Sequence, residues 1–506
     1  MWASRLNVAC RSSRSSSSSR RVTASALRLW QPGWSDRAFF SDDNEAPRAV
    51  AEPAWTLPRR VNRTFFINDR IYPVDRWYNV PPNIVERIER RLHLQRDHPL
   101  SITRQIIESV FPPPTFKYHN NLNPVVTTQQ NFDSLGFPES HPGRAKTDTY
   151  YINSETLLRT HTSAHQAEMF RANLSDGYLI TADVYRRDEI DRCHFPIFHQ
   201  MEGARSWDRT KVPNGDVAAA VRSDLESLPK HDVEVHDPNP PFHSERNPLQ
   251  EGHHSAEEVE AISAHLKRSL ELMVVEIFTR AKKAAQMATK KANRDYMDQP
   301  LQVRWVESYF PFTSPSWELE VFYNGEWLEC LGCGVVKQDI YNNAGVPTQL
   351  GWAFGIGLDR IAMLLFNIPD IRLFWSTDKR FLEQFRGISK FPDHLRQFKP
   401  FSKHPGCKKD VSFWLKPTPE DSQSQTLPPQ GFHENDVMDE VRRVAGDIAE
   451  DVSLADKFTH PTTGRTSLCY RIHYRSLESN LTHIAVNDIH LKVKQALIRK
   501  LGVEIR

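Results

Sequence analysis

The sequence predicts an α+β protein with two successive folded domains, a large antiparallel-sheet domain followed by a smaller ferredoxin-like one. Three observations carry that prediction. Runs at 179–187 and 196–202, and again at 303–309, 317–323 and 327–336, have strand character, the first pair with clear period-two alternation. Val259, Ile262, Leu266, Leu270, Val274, Ile277 and Ala281 form a sustained stripe, the mark of one long amphipathic helix. Beyond residue 403 the order is strand (410–415), helix (436–451), hairpin (452–460 and 465–475), helix (483–501) and strand (503–506), which is βαββαβ.

The bulk numbers exclude more than they identify. A chain of 506 residues has room for two or three domains and a large core. A net charge of +2 leaves any nucleic-acid surface to be a local patch. Mean hydropathy of −0.57, with no apolar run approaching the roughly 20 residues a spanning helix needs, excludes a membrane span. The six cysteines are scattered, which suits a reducing compartment rather than a disulfide framework. Cys330-x-x-Cys333 stands alone in a strand-like run, so a zinc or redox site is the lesser reading there.

The N-terminus carries Arg5, Arg11, Arg14, Arg20, Arg21 and Arg28 in a Ser-rich run with no acid before Asp36. That composition marks an organellar transit peptide over 1–41, ending near Arg37-Ala-Phe-Phe-Ser41, with the mitochondrion expected over the plastid. An extension (42–75) follows. Ile84, Val85, Ile88 and Leu92 then predict a helix over 83–94, and a second over 101–110 is stopped by Pro112-Pro-Pro114. Asn131-Phe-Asp-Ser-Leu135 and His141-Pro-Gly-Arg144 read as turn chemistry before a strand. In Leu157-Leu-Arg-Thr-His-Thr-Ser-Ala-His-Gln166, Ser163 and Gln166 have the spacing of a capping box opening a helix, and a helix N-terminus also favours a carboxylate.

The most informative stretch is Val184-Tyr-Arg-Arg-Asp-Glu-Ile-Asp-Arg-Cys-His-Phe-Pro-Ile-Phe-His-Gln-Met-Glu-Gly203, two strands joined by a charged loop. Period two puts Ala182, Val184, Arg186 and Asp188 on one face, and Phe198, Gln200 and Glu202 on one face of the returning strand. A cation, a carboxamide and two carboxylates on a sheet face are costly to bury unless they bind something zwitterionic and polyanionic. Arg-x-Asp alone is explained by a salt-bridged hairpin; the string through Glu202 is far more specific. Here the chain resembles motif 2 of the class II aminoacyl-tRNA synthetases, in the form used by the phenylalanyl family. Cys193-His194 replaces the Thr-His usual in bacterial members. The 131–135, 141–144 and 148–151 segments resemble the same family.

Further on, 203–252 is polar and rich in Pro, Asp and His, and reads as an insertion. Ser255-Ala-Glu-Glu258 is a capping box for the long helix, which is followed by Arg280, Lys282, Lys283, Lys290, Lys291 and Arg294, a solvated face before it is an RNA contact. Tyr309-Phe-Pro-Phe-Thr-Ser-Pro315 sets Phe310 and Phe312 on one side of an extended segment, by bare pattern core packing. Gly351-Trp-Ala-Phe-Gly-Ile-Gly-Leu-Asp-Arg-Ile-Ala-Met363 reads as strand, tight turn and helix, with Arg360 in the helix's first turn, and resembles motif 3 of the same class. Asp370-Ile-Arg-Leu-Phe-Trp375 resembles that family's linker. His404-Pro-Gly-Cys-Lys-Lys-Asp-Val-Ser-Phe-Trp414 and Glu434-Asn-Asp-Val-Met438 resemble its ferredoxin-fold anticodon-binding domain.

The resemblance implies a class II catalytic domain over 76–366, a linker over 367–402 and an anticodon-binding domain over 403–506. It implies attachment of L-phenylalanine to tRNA(Phe) through a phenylalanyl-adenylate, using ATP with Mg2+ and no organic cofactor, by a monomer in the mitochondrial matrix with no membrane partner. Carried over residue by residue, Arg186 bridges the α-phosphate and the carboxylate, and Arg360 holds the γ-phosphate. Asp188 and His194 serve the nucleotide. His161, Ser163 and Gln166 belong to the amino-acid pocket, and Gln200 and Glu202 take the α-ammonium. Phe310, Phe312 and Ala353 enclose the phenyl ring. Glu329 is the candidate magnesium contact; a strand glutamate paired with a basic neighbour explains it as well. Arg471, His473 and Arg475 are candidates for tRNA on the open face of the C-terminal sheet. Phe310, Phe312 and Ala353 argue against another amino acid; intact Arg186, Glu202 and Arg360 argue against a non-catalytic RNA-binding relative.

Overall fold

The structure, a computed structural model, describes residues 59–61, 64–288, 301–323, 325–416 and 432–506. The transit segment, most of the 42–75 extension and Lys290, Lys291 and Arg294 of the basic run lie outside the described residues.

The first domain is organised by an eight-stranded sheet. In chain order its strands are β1 (Phe116–His119), β2 (Gly177–Tyr185), β3 (Ile197–Asp208), β4 (Glu234–His236), β5 (Gln302–Glu307), β6 (Thr313–Tyr323), β7 (Glu326–Val336) and β8 (Gln349–Gly357). Their order across the sheet is β1-β2-β3-β8-β7-β6-β5-β4. All neighbours are antiparallel except the two edge pairs, β1 with β2 and β4 with β5. One face packs on the helices α1 (Pro99–Glu108) and α2 (Ala256–Ala288). Every residue of the expected stripe on α2 is buried, from Val259 to Ala281, as the apolar surface lost to water requires. Its capping box forms: the Glu258 amide donates to Ser255 Oγ and the Ser255 amide to Glu258 Oε2.

Several expectations are corrected. The 83–94 run is helical only over Pro82–Val85; Arg91 adopts a left-handed conformation (φ 41°) that breaks the spiral, and a 3-10 turn (Leu92–Leu94) follows. Ile84, Ile88 and Leu92 are nonetheless fully buried, so the apolar spacing marked burial rather than a continuous helix. The stretch 203–252 is not one insertion. Strand β3 runs on to Asp208, the helix Val217–Ser227 buries Val217, Ala218 and Val221, and β4 extends the sheet. Phe65 and Ile67, taken as part of an extension, are fully buried in the main core. The linker is packed rather than free: Phe374, Trp375, Phe381, Phe385 and Phe398 all belong to that core.

The C-terminal sheet has strands β9 (Cys407–Trp414), β10 (Ala449–Thr459), β11 (Thr466–Tyr474) and β12 (Glu504–Ile505), in the order β10-β11-β9-β12. Helices α3 (Glu434–Ala445) and α4 (His483–Leu501) cover one face, completing the ferredoxin-like arrangement. Helix α3 stops earlier than expected because Gly446 turns the chain at φ 55°. Val411, Phe413, Leu468, Tyr470, Ile472, Tyr474, Val437 and Val441 form this domain's core, together with Ile190 from the loop between β2 and β3.

Candidate active site

Residues paired across neighbouring strands share a face, so the register defines the site's floor. Glu202 lies between Ile180 and Gly355, Ala204 between Tyr178 and Ala353, and Gln200 between Ala182 and Gly357. Gly355 is followed across the sheet by Gly332 and then Glu318, and Ala353 by Gly334 and then Ser316. The middle of the face is therefore paved with glycine and alanine, with a carboxylate at either side. Three inter-strand spacings separate Glu202 from Glu318, about 14 Å, enough for an amino acid joined to a phosphate. At Gly334 the absence of a side chain is obligatory, since a Cβ would meet the Pro315 carbonyl at 2.4 Å.

Glu202 is 3% exposed and held only by neutral donors. Ser163 Oγ donates to its Oε2, and Gln166 Nε2 (3.3 Å) and Tyr178 Oη (3.2 Å) donate to its Oε1. No cation pairs with it among the described residues. Burial pushes its carboxyl up to about 7, against the pull of those hydrogen bonds. The capping-box reading of Ser163 and Gln166 is thus corrected. The segment is a 3-10 turn (Thr162–His165) entering a short helix (Gln166–Ala172), neither has a side-chain cap, and both side chains turn to Glu202. Thr162 N donates to Gln200 Oε1 at 3.3 Å, which ties the same turn to the strand.

Beside this acid runs an aromatic file. The His161 ring stacks on Phe137 (5.6 Å), Phe137 leans on Phe312 (6.4 Å), and Phe312 stacks on Phe310 (6.1 Å, 12° between planes). Phe312 packs in one cluster with Ala353, Ala204, Ala182 and Ile180. Burial lowers His161 to about 3, with the Asn131 backbone pulling weakly the other way, so its ring is neutral.

Arg186 continues the sheet ladder by donating its amide to the Pro196 carbonyl at 3.0 Å. Its guanidinium lies over the Phe198 ring (5.2 Å), and its Nε donates to the Thr160 carbonyl at 2.8 Å. Thr160 is itself held by the fully buried Asn131, whose Oδ1 accepts the Thr160 amide and whose Nδ2 donates to Thr160 Oγ1. That gives the 131–135 motif a physical purpose. Asp188 departs from expectation in its element: β2 ends at Tyr185, Arg187 turns to the C-terminal domain, and Asp188 lies on the following loop, where its charge still acts on Arg186. His194, on the same loop, is raised to about 9 by its hydrogen bond with Asp191 (2.7 Å) and presents a positive charge. Glu189, Asp191 and His194 converge closely, and a metal there would have to displace the imidazole's proton.

On the far side, β8 enters its helix (Leu358–Phe366) directly through Gly357, with no intervening turn. Asp359 accepts the His199 amide at 2.5 Å, which locks that helix to β3. Its neighbour Arg360 makes no ion pair with a described residue and faces Glu329. One extra residue in β7, a bulge at Cys330, brings Glu329 opposite Glu320 instead of Val321. Burial, and then Glu318 and Glu320, push Glu329 up to about 7. Glu320 is paired with Arg304, Ser308 Oγ donates to Glu318 at 2.8 Å, and of the three Glu329 faces Arg360 as an oxygen donor of the kind a hard cation such as Mg2+ takes. Cys330 and Cys333 are buried thiols with pKa values pushed up by burial, Cys330 to about 12. Sequence reasoning missed Tyr178, Asn131, Glu318 and Glu320. The alternation in Trp317-Glu-Leu-Glu-Val321 held the signal for the last two.

Of the candidates for tRNA, Arg471 is exposed and paired with Asp410. The open face expected for His473 and Arg475 is corrected at that end of the sheet. Both are bound to the buried Glu450 (2.8 and 2.9 Å), which Arg372 also meets from the catalytic side at 3.1 Å.

A family model described as "tRNA synthetases class II core domain (F)" matches residues 83–224 and 256–385, and one described as "Ferredoxin-fold anticodon binding domain" matches 402–506. Fold and site together thus define a class II aminoacyl-tRNA synthetase with a C-terminal anticodon-binding domain. The chain is 50% identical over 449 residues to "Phenylalanine--tRNA ligase, mitochondrial" of Saccharomyces cerevisiae, covering 85% of this chain and 92% of that protein. It is 41% identical over 443 residues to the protein of the same name in Mus musculus (86% and 87% covered). Against "Phenylalanine--tRNA ligase, chloroplastic/mitochondrial" of Arabidopsis thaliana it is 38% identical over 447 residues (87% and 85%). The chain belongs to the phenylalanine–tRNA ligase family.

Proposed function

We propose that the chain attaches L-phenylalanine to tRNA(Phe) for translation in the mitochondrion, acting in the matrix as a monomer. The observation that carries this reading is the pairing of an uncompensated buried acid, Glu202, with an aromatic and alanine-lined space on the same sheet face. That combination suits a small molecule with an ammonium at one end and a phenyl ring at the other. Among the described residues no helix is long and apolar enough to cross a membrane.

In the first step the phenylalanine carboxylate oxygen attacks the α-phosphorus of ATP, and pyrophosphate leaves with the bridging oxygen's electrons. In the second, the 2′-hydroxyl of the tRNA's terminal ribose attacks the acyl carbon and AMP leaves. Substrate groups do the attacking, so the protein orients them and neutralises charge. Glu202 and Gln200 take the ammonium; His161, Ser163 and Gln166 line its surroundings. Phe310, Phe312 and Ala353 enclose the ring. Arg186, fixed by Thr160, sits between carboxylate and α-phosphate, with His194 and Asp188 on the loop beside the nucleotide. Arg360 takes the γ-phosphate. Glu329, with Glu318 near it, would hold Mg2+, which would neutralise phosphate charge. Of the three residues expected on the C-terminal sheet, the exposed Arg471 is the one left to contact the tRNA.

The test is the full chain with ATP, Mg2+, phenylalanine and mitochondrial tRNA, scored for acid-precipitable, base-labile phenylalanyl-tRNA. Charging with phenylalanine is expected, with tyrosine about a hundredfold behind; binding of tRNA without any ATP–pyrophosphate exchange would overturn the reading.

A further inference from the structure

We infer that Tyr178 is a positioning residue for amino-acid recognition: its hydroxyl aims and keeps ionised the Glu202 carboxylate that receives the substrate's α-ammonium. The inference rests on the proposed role of Glu202 and adds a residue that neither motif contains.

The geometry is specific. Tyr178 is the second residue of β2, paired with Ala204, whose small side chain leaves room for a ring over the sheet. That ring is clamped edge-on by Phe170 (5.5 Å) and buried at 5% exposure, so its hydroxyl has one fixed direction, toward Glu202 Oε1. The carboxylate then receives Gln166 and Tyr178 on one oxygen and Ser163 on the other. A carboxylate offers about four lone-pair sites, so a donor remains to be accepted from the pocket side. A phenylalanine at 178 would fill the same space and lose only the hydroxyl.

The titratable groups around Glu202 can be named. On β2 it meets Tyr178, and on β8 it meets Gly355, which carries no charge. The turn above contributes Thr162, Ser163 and Gln166, none of which titrates; His165, on that turn, faces Arg159 and Glu168 instead. Behind Tyr178 stands Tyr341, its hydroxyl bound to Ser206. With no cation pairing with it among the described residues, neutral donors alone stabilise the charged form. Removing one of these donors shifts the balance toward the protonated acid, which cannot pair with an ammonium.

The experiment uses the full chain and its Tyr178→Phe and Glu202→Gln variants in ATP–pyrophosphate exchange across pH 5.5–8.5. Inhibition by 3-phenylpropanoate, which has the ring and carboxylate but no amine, is measured alongside. For Tyr178→Phe the KM for phenylalanine should rise about fivefold to tenfold, as for loss of one ordinary hydrogen bond. KM for ATP and inhibition by 3-phenylpropanoate should stay within about twofold, and the acid limb of kcat/KM for phenylalanine should move up by about one pH unit. An unmoved limb, or equal weakening of phenylalanine and 3-phenylpropanoate, overturns the inference while Glu202→Gln still raises the KM for phenylalanine. If Glu202→Gln leaves that KM unchanged, the ammonium site itself is misassigned and the role of Tyr178 falls with it.

Discussion

Arg187, one residue beyond the guanidinium that faces the site, is held by Asp439 of the C-terminal domain at 2.5 Å, with Asp436 at 2.7 Å on its other side. Tyr150 Oη donates to the same Asp439 at 3.2 Å, and Arg442 donates to the backbone carbonyls of Asp188 and Glu189. The loop between β2 and β3 is therefore fastened along its length by residues from another domain.

Asp439→Ala should leave the largely buried Arg187 short of one counter-charge. A loss of about 2 kcal/mol is expected, below the full cost of stranding a buried cation because Asp436 remains. Urea unfolding followed by the C-terminal tryptophan signal measures it. Adding Arg187→Met should recover part of the loss; no recovery would mean the pair is not the source of the stability.

Arg186→Ala should slow ATP–pyrophosphate exchange by roughly 10²–10³, as for one pre-organised donor facing developing charge. Asn131→Ala should give a smaller loss in the same direction, because Thr160 and not the guanidinium is released. Near-normal exchange in Arg186→Ala would remove that residue from the chemistry.

Glu202 gives the pH dependence a definite sign. Its carboxyl titrates near 7 in the folded protein, above its ordinary value of 4.5. Below 7 it is protonated and cannot pair with an ammonium, so kcat/KM for phenylalanine should fall as pH drops through that value. For stability the sign is reversed: the contribution is full below the unfolded value and lost as pH rises through the folded one. Phenylalanine supplies the missing counter-charge, so the rise in melting temperature that it produces should grow between pH 6 and 8. A ligand-induced rise independent of pH would count against the assignment.

Ala353→Gly should enlarge the space beside Phe312 and admit para-substituted phenylalanines, with p-chlorophenylalanine the substrate to assay. Wild-type chain should reject tyrosine by only about 10², the limit for an apolar wall facing an added hydroxyl. If the variant gains no such activity, position 353 does not line the ring.

Much of this was legible because period two is a strict rule. Counting from Gln200 placed Glu202 on the right face, and the same count along β11 correctly buried Leu468, Tyr470, Ile472 and Tyr474. The count failed where the chain left the ladder. The run expected to reach Arg187 ends at Tyr185, so period two no longer speaks for Asp188, and nothing local in Arg187-Asp-Glu announces a partner some 250 residues away. Ser163 and Gln166 show a different limit. Their spacing satisfies a helix cap as well as a binding pocket, and only the fold brings Glu202 close enough to take both. Glu329 owes its direction to the Cys330 bulge, and a bulge has no residue signature in this stretch. For Arg475 the pattern gave the correct face, yet a sheet face is open only if no other domain covers it.

Ile190 has a consequence for any attempt to work with less of the chain. Its side chain completes the hydrophobic interior of a domain that begins more than two hundred residues later. A truncation ending near residue 400 would leave that isoleucine wet and Arg187 without its acids, both on the loop that carries His194. The shortened protein would not be a minimal catalyst but one with a frayed substrate clamp, prone to stick to itself.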